Sequence, residues 1–190
     1  MKIAELKYNY NRVTPSDINE HLAVLKRYTE ECDHVTELGV RGIVSTWAFL
    51  VGKPKRLVSI DINHPGDIEP VGSANWHDLE EVYVAAKQLG VDFEFIKGDD
   101  LKIDLEDTDL MFIDTLHTYE QLSKELKQLS CKAGKYIILH DTVTFGSKGE
   151  TGGRGLLQAV SEFLKSNKDW KIVEQFFNNN GLTILGKKTK

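Results

Sequence analysis

The stretch "VTELGVRGIVSTWAFL", from Val35 to Leu50, predicts a buried strand that passes through a tight turn into a helix. An apolar segment precedes Gly39 and Gly42, and an apolar run of helical length follows them. In an open parallel sheet, the first strand–turn–helix unit lies at the carboxyl ends of the strands, where ligands bind. The stretch therefore predicts an α/β fold with a ligand site at this turn.

The rest of the chain repeats the alternation of strand and helix. Further strands are predicted at residues 56–62, 92–98, 108–114 and 136–141, and helices at 43–52, 76–90, 118–130 and 155–167. Residues 170–177 and 182–188 are predicted strands joined only by "NNNG", which is too short for a parallel crossover. The pattern predicts a Rossmann-like, doubly wound, seven-stranded and mostly parallel sheet with an antiparallel C-terminal hairpin strand.

Composition restricts the class of partner. A chain of 190 residues with 41% apolar content can bury one core, so residues 1–190 are expected to form one domain. Residues 1–33 are a helical extension, with one helix expected over residues 14–32, capped by Thr14 and with Pro15 at its first position. A net charge of -5 argues against nucleic-acid and membrane partners.

Two cysteines, Cys32 and Cys131, and the absence of an apolar leader or spanning segment predict a reducing, cytoplasmic location. Oligomeric state has no signature in the sequence. The three tryptophans, Trp47, Trp76 and Trp170, are expected in the core or at its rim.

The glycine turn differs from a dinucleotide-binding fingerprint. Arg41 stands where that pattern has its second glycine, and Glu37 would repel a diphosphate. These residues favour a cationic ligand and argue against a nucleotide-dependent oxidoreductase, while an ordinary tight turn remains the alternative.

Acidic residues follow several strands. Asp61 comes 22 residues after the first glycine of the turn, where related folds place a carboxylate that binds ribose hydroxyls, although it could simply begin a loop. Asp99 and Asp100 follow the third strand, near the expected position of a base, or start a turn. These acidic residues, together with Glu37 and Asp114, favour a ligand that joins adenosine to a positively charged sulfonium.

Five segments, "ELGVRGIVST", "SIDI", "FIKGDD", "DLMFIDTLHTYEQLSKEL" and "GKYIILHDT", resemble the class I S-adenosylmethionine-dependent methyltransferases. They are most similar to the subgroup of cephalosporin-hydroxylase-like and macrocin O-methyltransferase-like proteins, and the resemblance runs from Val35 to the C-terminus. Thr115 replaces the subgroup's glycine after "ID", and Gly134-Lys135 replaces a pair of glycines.

The resemblance implies a single methyltransferase domain that uses S-adenosylmethionine to methylate a hydroxyl of a small molecule or glycan. The implied cofactor-binding residues are Glu37, Gly39, Val40, Arg41, Gly42, Ser45, Asp61, Ile62, Gly98, Asp99, Asp100 and Asp114. A non-catalytic domain that binds an adenosine ligand is the alternative function.

The catalytic residues are expected among Asp114, His117, His140 and Asp141. In one route, Asp114, His140 and Asp141 hold Mg²⁺, which lowers the pKa of the acceptor hydroxyl. In the other, His117 or His140 is a general base. His117 could instead only cap the following helix, and His140 could be a core residue. The glycine-rich segment "TFGSKGETGGRG", residues 144–155, is expected to be a mobile lid.

Overall fold

The computed structural model describes residues 2–67 and 78–188. Within them, seven strands form one sheet in the order β3-β2-β1-β4-β5-β7-β6. The strands are β1 His34–Leu38, β2 Arg56–Asp61, β3 Asp92–Lys97, β4 Thr108–Ile113, β5 Ala133–His140, β6 Trp170–Phe176 and β7 Leu182–Lys187. Strand β7 is antiparallel to both of its neighbours, and the other pairings are parallel. The predicted fold class is confirmed.

Six α-helices cover the two faces of the sheet within the described residues. They are α1 Ile3–Val13, α2 Leu22–Thr29, α3 Val44–Gly52, α4 Leu79–Leu89, α5 Tyr119–Leu129 and α6 Leu156–Ser166. The first four pack on one face and the last two on the other. In β4, Leu110 and Phe112 contact the first layer and Met111 and Ile113 the second, which explains its continuous apolar run.

The strand order reverses between β1 and β4. Both are parallel neighbours at the centre of the sheet, and their helices lie on opposite faces. The backbone N–H of Asp114 donates to Leu38 O at 2.8 Å, and that of Gly39 donates to Ile60 O at 2.9 Å. A crevice at such a reversal is where ligands of doubly wound folds bind.

The N-terminal prediction of a single helix over residues 14–32 is wrong. Thr14 ends α1, since its N–H and hydroxyl both donate to Tyr10 O, at 3.0 and 2.8 Å. Pro15 disfavours helical geometry in the residue before it, and the Ser16 N–H bonds to the Asn19 side chain at 3.1 Å. Helix α2 therefore begins only at Leu22, and α1 was not foreseen.

Other predictions hold with small shifts of boundary. Trp47 and Trp170 are buried in the core, whereas Trp76 and the start of the predicted helix over 76–90 lie outside the described residues. Asp78 caps α4 by accepting from the Glu80 N–H at 2.9 Å. Among residues 2–67 and 78–188, every helix is too short or too polar to reach across a bilayer.

Candidate active site

The turn after β1 has an unusual backbone. Gly39, Arg41 and Ile43 have φ angles of 87°, 43° and 60°. A Cβ on Gly39 would lie 2.0 Å from the carbonyl oxygen of Asp114, so only glycine fits there. At Gly42 a Cβ would meet only a Val44 methyl at 4.0 Å. The first of the two glycines is the one that the fold requires.

Asp61 holds this turn in place. One carboxylate oxygen accepts from the N–H groups of Val40 and Arg41 at 2.8 and 2.9 Å, and the other accepts from the Asn63 N–H at 2.8 Å. Hydrogen bonds to an ionised acceptor are stronger than neutral ones, and they help to keep Arg41 in its left-handed conformation. Asp61 thus joins the ends of β1 and β2.

Glu37 lies beneath the turn. It is fully buried and accepts hydrogen bonds from the hydroxyls of Ser45, Thr46 and Ser59 at 2.5, 2.8 and 2.6 Å. Burial raises the pKa of Glu37 to about 7, although the three hydroxyls partly offset the shift. Glu37 lines neither of the cavities described below, so the structure gives it a role in joining α3 to the sheet.

Two cavities adjoin at the crevice. The smaller, of about 480 Å³, is bounded by the ends of β2, β3 and β4, and the larger, of about 720 Å³, by the glycine turn, the N-terminal segment and the loop after β5. Both lie in the volume range of ligand pockets. The lining residues common to both are Gly39, Asp114, Thr115, His117 and Glu150.

The structure divides the predicted cofactor residues between these cavities, except for Glu37, which lines neither of them. The smaller cavity is lined by Gly39, Asp61, Ile62, Gly98, Asp99, Asp100 and Asp114. The larger is lined by Gly39, Val40, Arg41, Gly42, Ser45 and Asp114. The carboxylates that were assigned to ribose and base therefore face one chamber, and most of the glycine turn faces the other.

All four predicted catalytic residues lie in one cluster, in which Asp114 and His117 line both cavities, Asp141 lines the larger one and His140 lies behind them. His117 Nε2 is 3.2 Å from an oxygen of Asp114 and 2.9 Å from an oxygen of Asp141, and its Nδ1 is 3.0 Å from Glu150. His140 Nδ1 is 3.3 Å from Asp114 and 3.6 Å from Asp141. The two carboxylates that end neighbouring strands are thus bridged by imidazole rings.

The charges in this cluster stabilise each other. Burial disfavours charge on His117, but the hydrogen bonds that it donates to Asp114 and Asp141 outweigh burial and raise its pKa to about 10. The pKa of His140 is likewise raised to about 9, because the charge of Asp114 outweighs burial. Burial alone would raise the pKa of Asp114, but the two histidines hold it well below its usual range. The neighbouring carboxylates therefore favour the cationic form of both rings.

Asp141 has a strained backbone at this junction. Its φ is 58°, which is uncommon for a residue with a side chain. The residue is only 4% exposed, and its Oδ1 is buried without a hydrogen-bond partner among the described residues. A buried carboxylate oxygen without a partner is rare in native structures and points to a role of Asp141 beyond packing.

The residues proposed as metal ligands do not fit Mg²⁺. Ligand atoms of Asp114, His140 and Asp141 lie within 4.8 Å of one another, but one of the three is an imidazole nitrogen. His117 already contacts both carboxylates, as described above. Mg²⁺ prefers oxygen ligands in octahedral geometry, so two imidazole rings at this point favour the histidine route.

The prediction that His117 only caps a helix is wrong. Thr118 is the N-cap of α5, and its hydroxyl accepts from the Gln121 N–H at 3.3 Å. His117 does not cap the helix. Its ring contacts the carboxylates of Asp114, Asp141 and Glu150 instead. His140 is buried, as a core residue would be, but its Nδ1 faces Asp114 rather than backbone.

The glycine-rich segment, residues 144–155, lies over this cluster. The Phe145 ring stacks on His117 with centroids 4.8 Å apart and planes 9° apart. The Glu150 N–H donates to His117 O at 3.1 Å, and the Tyr119 N–H donates to Arg154 O at 3.3 Å. The ring stack and these hydrogen bonds tie the segment to its surroundings more than its glycine-rich composition suggested. Its mobility remains a prediction. The sequence analysis did not predict a role for Phe145 or Glu150, although they are the only aromatic and the only acidic residue of the segment.

Comparison with known proteins identifies the fold. No protein-family model and no curated protein matches the chain. Solved structures do: an O-methyltransferase from Bacillus cereus in complex with SAH has 15% identity and a TM-score of 0.61, covering 97% of this chain and 90% of that one. The O-methyltransferase TomG from Streptomyces achromogenes, in complex with SAM, has 14% identity and a TM-score of 0.64, covering 100% and 91%.

A ribosomal protein L11 methylase from Lactobacillus delbrueckii also matches, with 16% identity and a TM-score of 0.55, covering 90% of this chain and 80% of that one. The chain therefore has the Rossmann-like methyltransferase fold. Because these structures include both O-methyltransferases and a protein methylase, the fold alone does not define the acceptor.

Proposed function

We propose that the protein is an S-adenosylmethionine-dependent O-methyltransferase that acts on a hydroxyl of a small molecule. The observation that carries this proposal is the pair of adjoining cavities with Asp114, His117 and Gly39 at their junction. A transfer enzyme needs two bound molecules whose reacting atoms meet, and positioning supplies much of the rate. Membership of the cephalosporin-hydroxylase-like or macrocin O-methyltransferase-like subgroup is part of the proposal. It is supported by His117 and by the pair His140-Asp141 at the end of β5.

The smaller cavity is the proposed cofactor site. Asp61, Asp99 and Asp100 line it and would accept hydrogen bonds from ribose hydroxyls and the adenine amine. The backbone of Gly39, bare of a Cβ, borders it on the side of the junction. S-adenosylmethionine, when bound, supplies a methyl group on a sulfonium. Asp114 at the junction favours a cationic group beside it.

The larger cavity is the proposed acceptor site. His117, in its neutral form, would accept the hydrogen bond of the reacting hydroxyl and take its proton as the C–O bond forms and the C–S bond breaks, while Asp141, whose Oδ2 lies 2.9 Å from His117 Nε2, would position the ring. His117 loses its proton more readily when a further positive charge lies beside it. Because its pKa is raised to about 10 in the protein alone, the neutral form gains with alkaline pH.

Cofactor binding is tested with Asp61→Ala. This change removes an acceptor for ribose hydroxyls and releases the Val40 and Arg41 N–H groups, so S-adenosylhomocysteine affinity should fall by about 1.5–3 kcal/mol in calorimetry. Asp104→Ala is the matched control, because its side chain is exposed on a distant loop. Unchanged affinity in Asp61→Ala, or equally tight binding of NAD, would contradict the assignment.

Turnover is tested by transfer of a labelled methyl group to a panel of hydroxylated acceptors, after native mass spectrometry has established which cofactor the protein retains. Transfer to any hydroxyl supports the enzyme. Tight S-adenosylhomocysteine binding without transfer to any acceptor would favour the non-catalytic binding domain instead.

A further inference from the structure

We propose that the acceptor is a small hydroxylated molecule that carries a positive charge, and that the larger cavity rejects phosphorylated and carboxylated acceptors. This inference rests on the proposed function, because it names the acceptor class of the same site. It is carried by the charges that line the cavity and by the partners that these charges already have.

Carboxylates outnumber cations on the walls of the larger cavity. Its titratable lining residues, among those that the structure describes, are Asp17, Arg41, Asp114, His117, Asp141 and Glu150. Four are acids and two are bases, and no lysine is among them. His140, whose cationic form is favoured by Asp114 at 3.3 Å, lies behind this wall, so four acids face three bases and an anion entering the cavity would still meet a net like charge, which is poorly screened inside a protein.

Both lining cations already have carboxylate partners. Arg41 Nη1 lies 3.3 Å from Asp17 Oδ2, and His117 is bound by the three carboxylates at the junction. A phosphate or carboxylate on an acceptor would have to break one of these pairs. An ammonium group could bind without displacing either cation, because these pairs use Oδ2 of Asp17 and Oε2 of Glu150 and each carboxylate has a second oxygen.

Asp17 and Glu150 are the residues proposed to receive the ammonium group. Asp17 belongs to the segment between α1 and α2, and its side chain is 46% exposed, so it is accessible from the cavity mouth. Glu150 belongs to the segment over the cluster, with its side chain 31% exposed. Neither residue is the proposed base, because the reacting hydroxyl would lie at His117, which lines both cavities.

The test uses three probes that share a vicinal diol and differ in charge: dopamine, catechol and protocatechuate. Their dissociation constants are measured by NMR titration of the protein saturated with S-adenosylhomocysteine. We expect dopamine to bind roughly five-fold tighter than catechol, with protocatechuate weakest, as one favourable charge contact of about 1 kcal/mol implies. The preference should shrink at high ionic strength.

Asp17→Asn sharpens the test, because it removes one carboxylate and leaves Arg41 without that partner. The dopamine preference should fall and protocatechuate should bind several-fold tighter than it binds the wild type. Asp104→Asn makes the same change in net charge on an exposed loop and should leave the order of the probes unaltered.

Equal affinity for the three probes, tighter binding of protocatechuate to the wild type, or no binding of any probe would each overturn the inference. Failure of the proposed function is distinguishable, since it would show as absence of S-adenosylhomocysteine binding in calorimetry before any probe is added. Asp17 does not line the smaller cavity, so Asp17→Asn should leave that binding unchanged.

Discussion

At the scale of single residues, Gly39 determines whether the crevice can form. Gly39→Ala would place a methyl group 2.0 Å from the Asp114 carbonyl oxygen at a φ of 87°. We expect a loss of about 2–5 kcal/mol in the free energy of unfolding, from overpacking and left-handed strain together. Chemical denaturation measures it, and S-adenosylhomocysteine binding should be lost.

Gly90→Ala is the control for that change. Gly90 also has a positive φ, of 75°, but no atom of the described residues lies within 4 Å of its would-be Cβ. The free energy of unfolding of Gly90→Ala should fall by only about 1–2 kcal/mol, from left-handed strain alone. The variant should bind S-adenosylhomocysteine as the wild type does. Equal losses in the two variants would show that the contact with Asp114 is unimportant.

His117 is the residue on which the proposed chemistry depends. His117→Ala should lower methyl transfer by about 10²–10⁴-fold, and wild-type activity should persist after exhaustive chelation and rise with pH toward about 10. Tyr119→Phe, whose hydroxyl donates to Glu162 outside the cluster, should remain active. Loss of activity on chelation with recovery in Mg²⁺ would restore the metal route.

At the scale of elements, α5 buries an acid on the same face as Leu122, Leu126 and Leu129. Glu125 is fully buried and accepts from the Thr115 hydroxyl at 2.6 Å and the Gln121 amide at 2.8 Å. Burial and the charge of Asp100 raise the pKa of Glu125 to about 8, and burial also raises that of Asp100. A shared proton on this pair is therefore favoured, with Asp100 lining the smaller cavity and Glu125 buried behind it.

A raised carboxyl pKa has a defined effect on stability. The folded state binds the proton more tightly, so the contribution is complete below the unfolded pKa of 4.5 and is lost as pH rises through about 8. Glu125→Gln imitates the protonated form and should reduce the decline in unfolding free energy by up to about 1.4 kcal/mol per pH unit.

Denaturant titrations from pH 5 to pH 9 measure this slope in wild type and variant. Glu120→Gln, an exposed change on the same helix, should keep the wild-type slope. A slope that Glu125→Gln leaves unaltered would show that the buried pair does not hold the proton.

At the scale of the whole molecule, the turn between β6 and β7 joins the N-terminal segment to the active site. The Asn179 side chain accepts from the Glu20 N–H at 3.0 Å and donates to Ser16 O at 2.8 Å. The next residue, Asn180, accepts through its carbonyl from the Val143 N–H at 2.9 Å. One wall of the larger cavity thus depends on residues about 160 positions away, at the far end of the chain.

Asn179→Ala should cost about 1–3 kcal/mol of stability through its two hydrogen bonds, and more through its φ of 44°. Asn179→Gly removes the bonds without the strain and should cost less. In both, hydrogen exchange over residues 14–21 should speed up while S-adenosylhomocysteine affinity stays unchanged. Unaltered exchange in both variants would refute the coupling.

The sequence by itself determined the sheet and its ligand edge. Strands buried on both faces read as apolar runs, helices show their own period, and "NNNG" is too short for anything but a hairpin, so local patterns sufficed. The same patterns placed Asp114, His117, His140 and Asp141 at neighbouring strand ends, where a parallel sheet must bring them together.

Only the tertiary structure decided where individual side chains lie and what they contact. Glu37 faces three hydroxyls under the turn, Asp17 meets Arg41, and Glu150 reaches His117 across 33 positions of the chain. These pairs arise from the packing of segments that are distant in sequence, and no period or spacing encodes such contacts. The edge of the sheet where the two cavities lie could therefore be predicted from the sequence, while the charge of the larger cavity depended on the folded chain.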